Sequence, residues 1–150
     1  MKLNYLVKRE IEEKANSFRS KNGYGSTEPI ILSSLLLKLN VITVFKPLLP
    51  SFAGMAIWAS EDSLFILVNQ THTIGKQNFT IGHELYHLLI QEIFISSYCN
   101  AGLFDLQSEA EELKADFFCS MFIIAWFRYL STYSGTWTTK EEQCNNWDHI

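Results

Sequence analysis

The most informative segment of the chain is Phe79-Thr-Ile-Gly-His83-Glu84-Leu-Tyr-His87-Leu-Leu89, which carries the pattern His-Glu-x-x-His. In a helix, side chains four positions apart lie on one face, so His83 and His87 can both reach a single metal ion. Glu84 projects about 100° around the helix from His83, because an α-helix has about 3.6 residues per turn. Glu84 is therefore placed to contact a water molecule at the metal without being a ligand itself.

The two sides of this helix differ in polarity. Thr80 and Gln91 fall near the histidines, whereas the opposite face is apolar. The apolar residues are Ile81, Leu85, Leu88 and Leu89. This division predicts one wall facing a core and one wall facing a site. The alternative is a surface helix that carries the pattern by accident.

The composition is that of a single folded domain, and we expect residues 1–150 to form one. The chain is 47% hydrophobic and 14% aromatic, with a formal net charge of −4, and a chain of this length buries roughly two thirds of its unfolded surface. The mild charge and the lack of a basic stripe argue against direct nucleic-acid binding. No apolar stretch is long enough to span a membrane, and the amino terminus lacks a signal-peptide core. We therefore expect a cytoplasmic protein that does not bind membranes.

The number and spacing of the three cysteines also favour a cytoplasmic location. Cys99, Cys119 and Cys144 are odd in number and lack the close pairing of a zinc ribbon or a disulfide framework. Free thiols in a reducing compartment fit this pattern better. For Cys119 we expect the role of a small buried helix residue.

Patterning along the chain predicts an α+β fold, in which a small antiparallel sheet of about three strands packs against helices. The predicted helices before the motif cover residues 3–20 and the segment from Thr27, a cap candidate followed by Pro29, to Leu39. The predicted strands are 41–45, 53–59 and 64–68, and the four-residue loop 60–63 joins the last two as a hairpin. The motif helix is predicted from about Lys76 to Glu92.

A second important helix is predicted further along the chain. Ser108 and Glu111 form a capping box, and the helix continues through the apolar run 117–127. An apolar run of that length predicts a helix that is buried nearly all round and central to the core. The small residues Ala115 and Cys119 would allow it to lie close to the motif helix. Residues 131–150 show no periodicity and are predicted to be a poorly specified tail.

The later helix is also expected to supply a third metal ligand from its acidic residues Glu109, Glu111, Glu112 and Asp116. Catalytic zinc sites combine three protein ligands with a water, often two histidines and one glutamate. Glu112 and Asp116 share one helix face, whereas Glu109 and Glu111 point elsewhere. The segment Glu112-Leu-Lys-Ala-Asp116 resembles the Glu-x-x-x-Asp of thermolysin-like zinc peptidases, whose glutamate is the third ligand and whose aspartate holds a ligand histidine. Such a carboxylate fixes the tautomer of the histidine.

Together, the segments 79–89 and 112–119 resemble the ImmA/IrrE family of zinc metallo-endopeptidases, and the likeness extends over roughly residues 5–127. The resemblance implies a minimal zincin-like core. It also implies Zn²⁺ held by His83, His87 and Glu112, with Glu84 as the base and Asp116 orienting His83. One departure concerns the run 122–127, which continues without the Met-Pro that usually ends it in the family.

The resemblance further implies a protein substrate. Family members are often encoded beside a DNA-binding repressor of a mobile element and cleave it, which makes a helix-turn-helix repressor the expected partner. Peptide hydrolysis also needs a second group that stabilises the oxyanion, and the candidates are His72, Tyr86 and Tyr98. The alternative function is a zinc-stabilised binding protein, such as an antirepressor, without proteolytic activity. Glu84 argues against this alternative, because a structural zinc site needs no base.

Overall fold

The computed structural model describes residues 3–60, 63–92 and 110–123, and these ranges contain four helices and one three-stranded sheet. The elements are α1 (Tyr5–Lys21), α2 (Leu32–Lys38), β1 (Val41–Lys46), β2 (Gly54–Ser60), β3 (Ser63–Asn69), α3 (Ile74–Leu89) and α4 (110–123). The predicted α+β class is therefore confirmed. The predicted tail, residues 131–150, lies outside the described residues, as do Cys99 and Cys144.

The sheet is mixed rather than antiparallel as expected. The strand order is β1-β3-β2, and β3 is antiparallel to β2 but parallel to β1, with Val41 opposite Leu64. Ser60 pairs with Ser63, so the hairpin has a two-residue connection rather than the expected four-residue loop. The strands follow the predicted segments closely, and the predicted hairpin of β2 and β3 is present; the difference lies in the direction of β1, which is parallel to β3.

Asn69, at the end of β3, explains the strand order. Its side chain is fully buried, accepts a hydrogen bond from the Leu48 N–H at 3.1 Å and donates to the carbonyl oxygens of Leu49 and Phe52 at 3.0 and 2.8 Å. These bonds attach the connector between β1 and β2 to the end of β3. Residues 47–53 therefore cross the end of β3, and β2 pairs with the edge of β3 that lies opposite β1.

The buried Arg19 explains why α2 begins later than predicted. Its guanidinium donates to the carbonyl oxygens of Gly25 at 2.6 Å and of Glu28, which holds residues 25–28 in a turn. The helix expected after Thr27 therefore begins only at Leu32.

The end of α2 agrees with the sequence. The helix closes at Asn40, whose positive φ of 54° is a conformation that asparagine tolerates well.

The motif helix α3 packs its apolar face into the core. Thr73 caps its first turn by accepting a hydrogen bond from the Lys76 N–H, so α3 begins two residues before the predicted start and ends three residues before the predicted end. The buried residues of this face are Ile81, Leu85 and Leu88, and they join Ile66 and Val68 of β3 in one cluster.

Helix α4 is the central helix that the sequence predicts, as far as the structure describes it. No residue from 117 to 123 is exposed, and Phe118 and Phe122 are fully buried. Cys119 is also fully buried, which confirms its expected role. Among the helices in the described ranges, none is long and apolar enough to cross a membrane.

Candidate metal centre

Helix α3 brings His83 and His87 together on one face, as their spacing requires. Their Nε2 atoms lie 3.1 Å apart, and the ring centroids are separated by 4.9 Å. The side chain of His87 is only 4% exposed and that of His83 is 14% exposed. Both rings are therefore held by packing, which limits their motion before any ion binds.

Helix α4 reaches this face because the contact between α3 and α4 is made by small residues. Gly82 faces Cys119, whose thiol donates to the Phe79 carbonyl at 3.2 Å. Ala115, one turn before Cys119, is also fully buried. Since Glu112 lies two turns before Cys119, this close contact carries its carboxylate to the histidines.

The carboxylate of Glu112 contacts both histidines. Its Oε2 lies 3.0 Å from His83 Nε2, and its Oε1 lies 3.4 Å from His87 Nε2. One ligand atom from each of these three residues falls within 4.8 Å of the others.

These separations fit a tetrahedral ion. Zinc bonds of about 2.0–2.1 Å at tetrahedral angles place neighbouring ligand atoms about 3.3 Å apart. Here the two Nε2 atoms lie 3.1 Å apart, and the carboxylate of Glu112 lies 3.0 Å from His83 Nε2 through Oε2 and 3.4 Å from His87 Nε2 through Oε1. The three residues can therefore hold one metal ion and form one face of a tetrahedron, with the fourth position left for a non-protein ligand.

The second ring nitrogen of each histidine also has a partner. Asp116 Oδ1 lies 2.9 Å from His83 Nδ1, the contact that the resemblance implies. Gln91 Oε1 lies 2.7 Å from His87 Nδ1. The spacing of four residues places Gln91 on the face of His87, but spacing alone does not distinguish a hydrogen-bond partner from a solvated side chain.

The charges around the three residues shift their pKa values in different directions. Burial alone would lower the pKa of His83, but its hydrogen bonds with Asp116 and Glu112 outweigh burial and raise the pKa to about 10. Burial lowers the pKa of His87 despite its hydrogen bond with Gln91. Burial opposes ionisation of Glu112, yet the neighbouring His83 holds the pKa of this carboxyl below its usual value. The metal-free site therefore favours a protonated His83 beside an ionised Glu112.

Glu84 lies beside the three candidate ligands but is not one of them. Its side chain is buried, and burial raises its pKa to about 7, against the opposing charge of His83 and a hydrogen bond from the backbone of Ala56. A carboxyl group with a pKa near neutrality is suited to accept and return a proton.

The described oxyanion candidates hydrogen-bond to groups other than the three candidate ligands. His72 precedes the first residue of α3 by two positions, and its Nε2 lies 3.0 Å from the Pro50 carbonyl oxygen. Tyr86 is buried, with its hydroxyl donating to Glu111 at 3.0 Å. Tyr98 lies outside the described residues.

Comparison with known families matches the sequence around this site to a group of peptidases. The IrrE N-terminal-like domain of peptidase family M78 matches residues 40–146. The chain belongs to this family. The IrrE-like region contains β1, α3 and α4, and with them His83, His87 and Glu112, whereas α1 and α2 precede it. Among curated proteins, none matches the chain. Family membership and the ligand geometry together establish a metallopeptidase-like domain of family M78.

Proposed function

We propose that this protein is a zinc-dependent endopeptidase that cleaves a specific protein, such as a helix-turn-helix repressor, and so relieves repression. The observation that carries the proposal is the position of Glu84. A buried carboxyl group whose pKa is raised to about 7 adjoins three residues with metal-ligand geometry. A structural metal site needs no such group.

The residues His83, His87 and Glu112 would hold the metal. Two imidazoles and one carboxylate are a typical ligand set of catalytic zinc, with one position left open. A zinc ion bound there supplies Lewis acidity, which lowers the pKa of a coordinated water toward about 7 and polarises a substrate carbonyl. The partners of the outer ring nitrogens, Asp116 and Gln91, hold the imidazoles in place.

Glu84 moves the proton in the proposed reaction. Its carboxylate accepts a proton from the attacking water as the new C–O bond forms at the peptide carbonyl. When the C–N bond breaks, the same group donates that proton to the leaving amine. In the metal-free site burial raises the pKa of Glu84 to about 7, and a carboxyl group near neutrality can accept and release a proton at physiological pH.

The sheet edge beside Glu84 supports an extended protein substrate. Among the described strands, β2 pairs with β3 alone, and Ala56 within β2 contacts Glu84 through its backbone. An extended peptide can add to a sheet edge through main-chain hydrogen bonds, which require no free chain terminus. This arrangement favours cleavage within a chain over removal of terminal residues.

The proposal is tested by incubating the zinc-loaded protein with a helix-turn-helix repressor encoded beside it. We expect discrete fragments by mass spectrometry, and no fragments after treatment with a chelator. Glu84→Gln should bind zinc as the wild type does and produce no fragments, because the amide cannot accept the proton. Glu12→Gln, the same change on the exposed face of α1, should cleave normally.

Two results would count against the proposal. Cleavage by Glu84→Gln at the wild-type rate would remove Glu84 from the reaction. Tight binding of the intact repressor by wild type and Glu84→Gln alike, without fragments, would instead support the zinc-stabilised binding protein.

A further inference from the structure

We propose that Gln91 is a positioning residue for His87: its side-chain oxygen accepts the Nδ1–H of the ring and so leaves Nε2 free for the metal. The inference rests on the proposed metal-dependent function, and assigns to Gln91 the role on His87 that Asp116 has on His83. The central observation is the distance of 2.7 Å between Gln91 Oε1 and His87 Nδ1.

The end of α3 explains how Gln91 reaches the ring. The helix ends at Leu89, but the N–H groups of Ile90 and Gln91 both donate to the Tyr86 carbonyl at 2.9 Å. This wider last turn keeps the chain wound after the helix proper ends. Gln91 therefore remains on the same face as His87, one turn further along, where it is half-buried.

The packing around His87 leaves the ring little freedom to turn. The ring is 4% exposed, and the ring of Tyr86 meets it nearly edge-on at 5.6 Å. Its Nε2 points toward His83 Nε2 at 3.1 Å and Glu112 Oε1 at 3.4 Å. Its Nδ1 therefore faces Gln91 while its Nε2 faces the metal position.

The choice of tautomer follows from this orientation. A neutral imidazole carries one N–H, and the hydrogen bond at one nitrogen decides which nitrogen remains free as a ligand. If the Gln91 oxygen accepts from Nδ1, then Nε2 has a lone pair to offer the metal. If the Gln91 amide donated instead, the proton would lie on Nε2 and would have to leave before an ion could bind.

Two substitutions distinguish the role of Gln91 as a hydrogen-bond acceptor from a role as a donor. Gln91→Leu removes both functions with little change in size, whereas Gln91→Glu keeps the acceptor and loses the donor. Zinc affinity is measured by competition with a chromophoric chelator. We expect Gln91→Leu to bind zinc about 10–100-fold more weakly, as is typical when the partner of a ligand histidine is lost. Gln91→Glu should bind zinc at least as tightly as wild type.

A matched control and a second measurement complete the test. Gln70→Leu makes the same chemical change at an exposed position away from the site and should leave zinc affinity unchanged. The tautomer of His87 is read directly in the metal-free protein from its two ring ¹⁵N shifts by long-range ¹H–¹⁵N NMR. We expect the Nδ1–H form in wild type and Gln91→Glu, and loss of that preference in Gln91→Leu.

The results that would overturn the role of Gln91 differ from the results that would contradict the proposed function. An Nε2–H tautomer in wild type, or equal loss of zinc affinity in Gln91→Glu and Gln91→Leu, would overturn the role of Gln91. Wild-type zinc affinity in Gln91→Leu would overturn it as well. If Gln91→Leu fails to fold, the His87 tautomer in the wild type and the zinc affinity of Gln91→Glu still test the role of Gln91. A wild-type protein that binds no zinc would instead contradict the proposed function. The tautomer measurement would still test whether Gln91 accepts a hydrogen bond from His87 Nδ1.

Discussion

Gly82 on α3 faces Cys119 on α4 so closely that a β-carbon on Gly82 would lie 2.8 Å from the cysteine sulfur. The same β-carbon would lie 3.1 Å from Cδ1 of Ile123. A real β-carbon at such distances forces its neighbours to move. The approach of the two helices, and with it the distance from Glu112 to His83, therefore depends on the absence of a side chain at position 82.

Gly82→Ala should separate the helices and weaken zinc binding. Overpacking of a buried contact costs about 1–3 kcal/mol, and the better helix propensity of alanine returns about 1 kcal/mol. We therefore expect a net loss of stability in urea unfolding, together with a lower zinc affinity in a competition titration.

A second substitution tests whether contact with Cys119 causes the lower zinc affinity of Gly82→Ala. Cys119→Ala removes the sulfur that the new methyl group meets, so the double variant Gly82→Ala/Cys119→Ala should recover much of the lost zinc affinity. Simple addition of the two single effects would show that the two positions are not coupled and would contradict the explanation.

Asp116→Asn should weaken zinc binding because it removes the charge beside His83 Nδ1 while keeping an oxygen in place. Asp116→Leu removes the acceptor as well, and the loss should reach about 10–100-fold. The expected order of affinity is wild type, then Asn, then Leu, measured by chelator competition.

Glu111→Gln is the control for this series, because it removes a charge from the same helix at a residue that bonds Tyr86 rather than the histidines. A Glu111→Gln variant that lost as much affinity as Asp116→Asn would indicate a general charge effect.

The metal-free protein should become less stable as the pH rises from about 6.5 toward 10. The pKa of His83 is raised from 6.5 to about 10 in the folded state, chiefly by Asp116 and Glu112 against the effect of burial. A group whose pKa is raised by folding contributes stability that is fully present below its unfolded pKa and is lost as the pH rises through its folded pKa. Urea unfolding of chelator-treated protein across this range measures the effect.

His83→Gln should flatten the pH dependence of the metal-free protein over the same range. Zinc affinity should show the opposite trend and increase with pH, because the metal displaces the proton from His83. An apparent zinc affinity that did not change between pH 6.5 and pH 10 would contradict the raised pKa of His83.

Arg19→Met should strongly destabilise the fold. Arg19 is 1% exposed, and its guanidinium donates to the backbone carbonyls of Gly25, Glu28 and Phe122, so it joins the end of α1 to the far end of α4. A buried carbonyl that loses its donor costs about 1–3 kcal/mol, and we expect a loss of at least about 2 kcal/mol in urea unfolding.

Arg9→Met is the matched control on the same helix. Arg9 forms an ion pair with Glu13 in which both side chains are more than 60% exposed. Pairs of this kind contribute about 0–1 kcal/mol. Equal destabilisation by the two substitutions would show that the buried contacts of Arg19 add nothing to stability.

Residue spacing alone is enough to predict the motif helix, the segments that form strands and the face of α4 that carries Glu112 and Asp116. Each of these depends on residue spacing within one element, and helix geometry converts spacing directly into direction. The small residues Ala115 and Cys119 also indicate, from sequence alone, where the two helices can approach.

Three other features depend on contacts between distant parts of the chain: the strand order, the start of α2 and the partner of His87. The strand order depends on the bonds of Asn69 with residues 48–52, and the start of α2 depends on Arg19, which also contacts Phe122 about 100 residues away. The hydrogen bond of Gln91 depends on a last helical turn that no residue pattern marks. Such contacts join groups whose positions are set by the packing of the whole chain, and local periodicity carries no information about them.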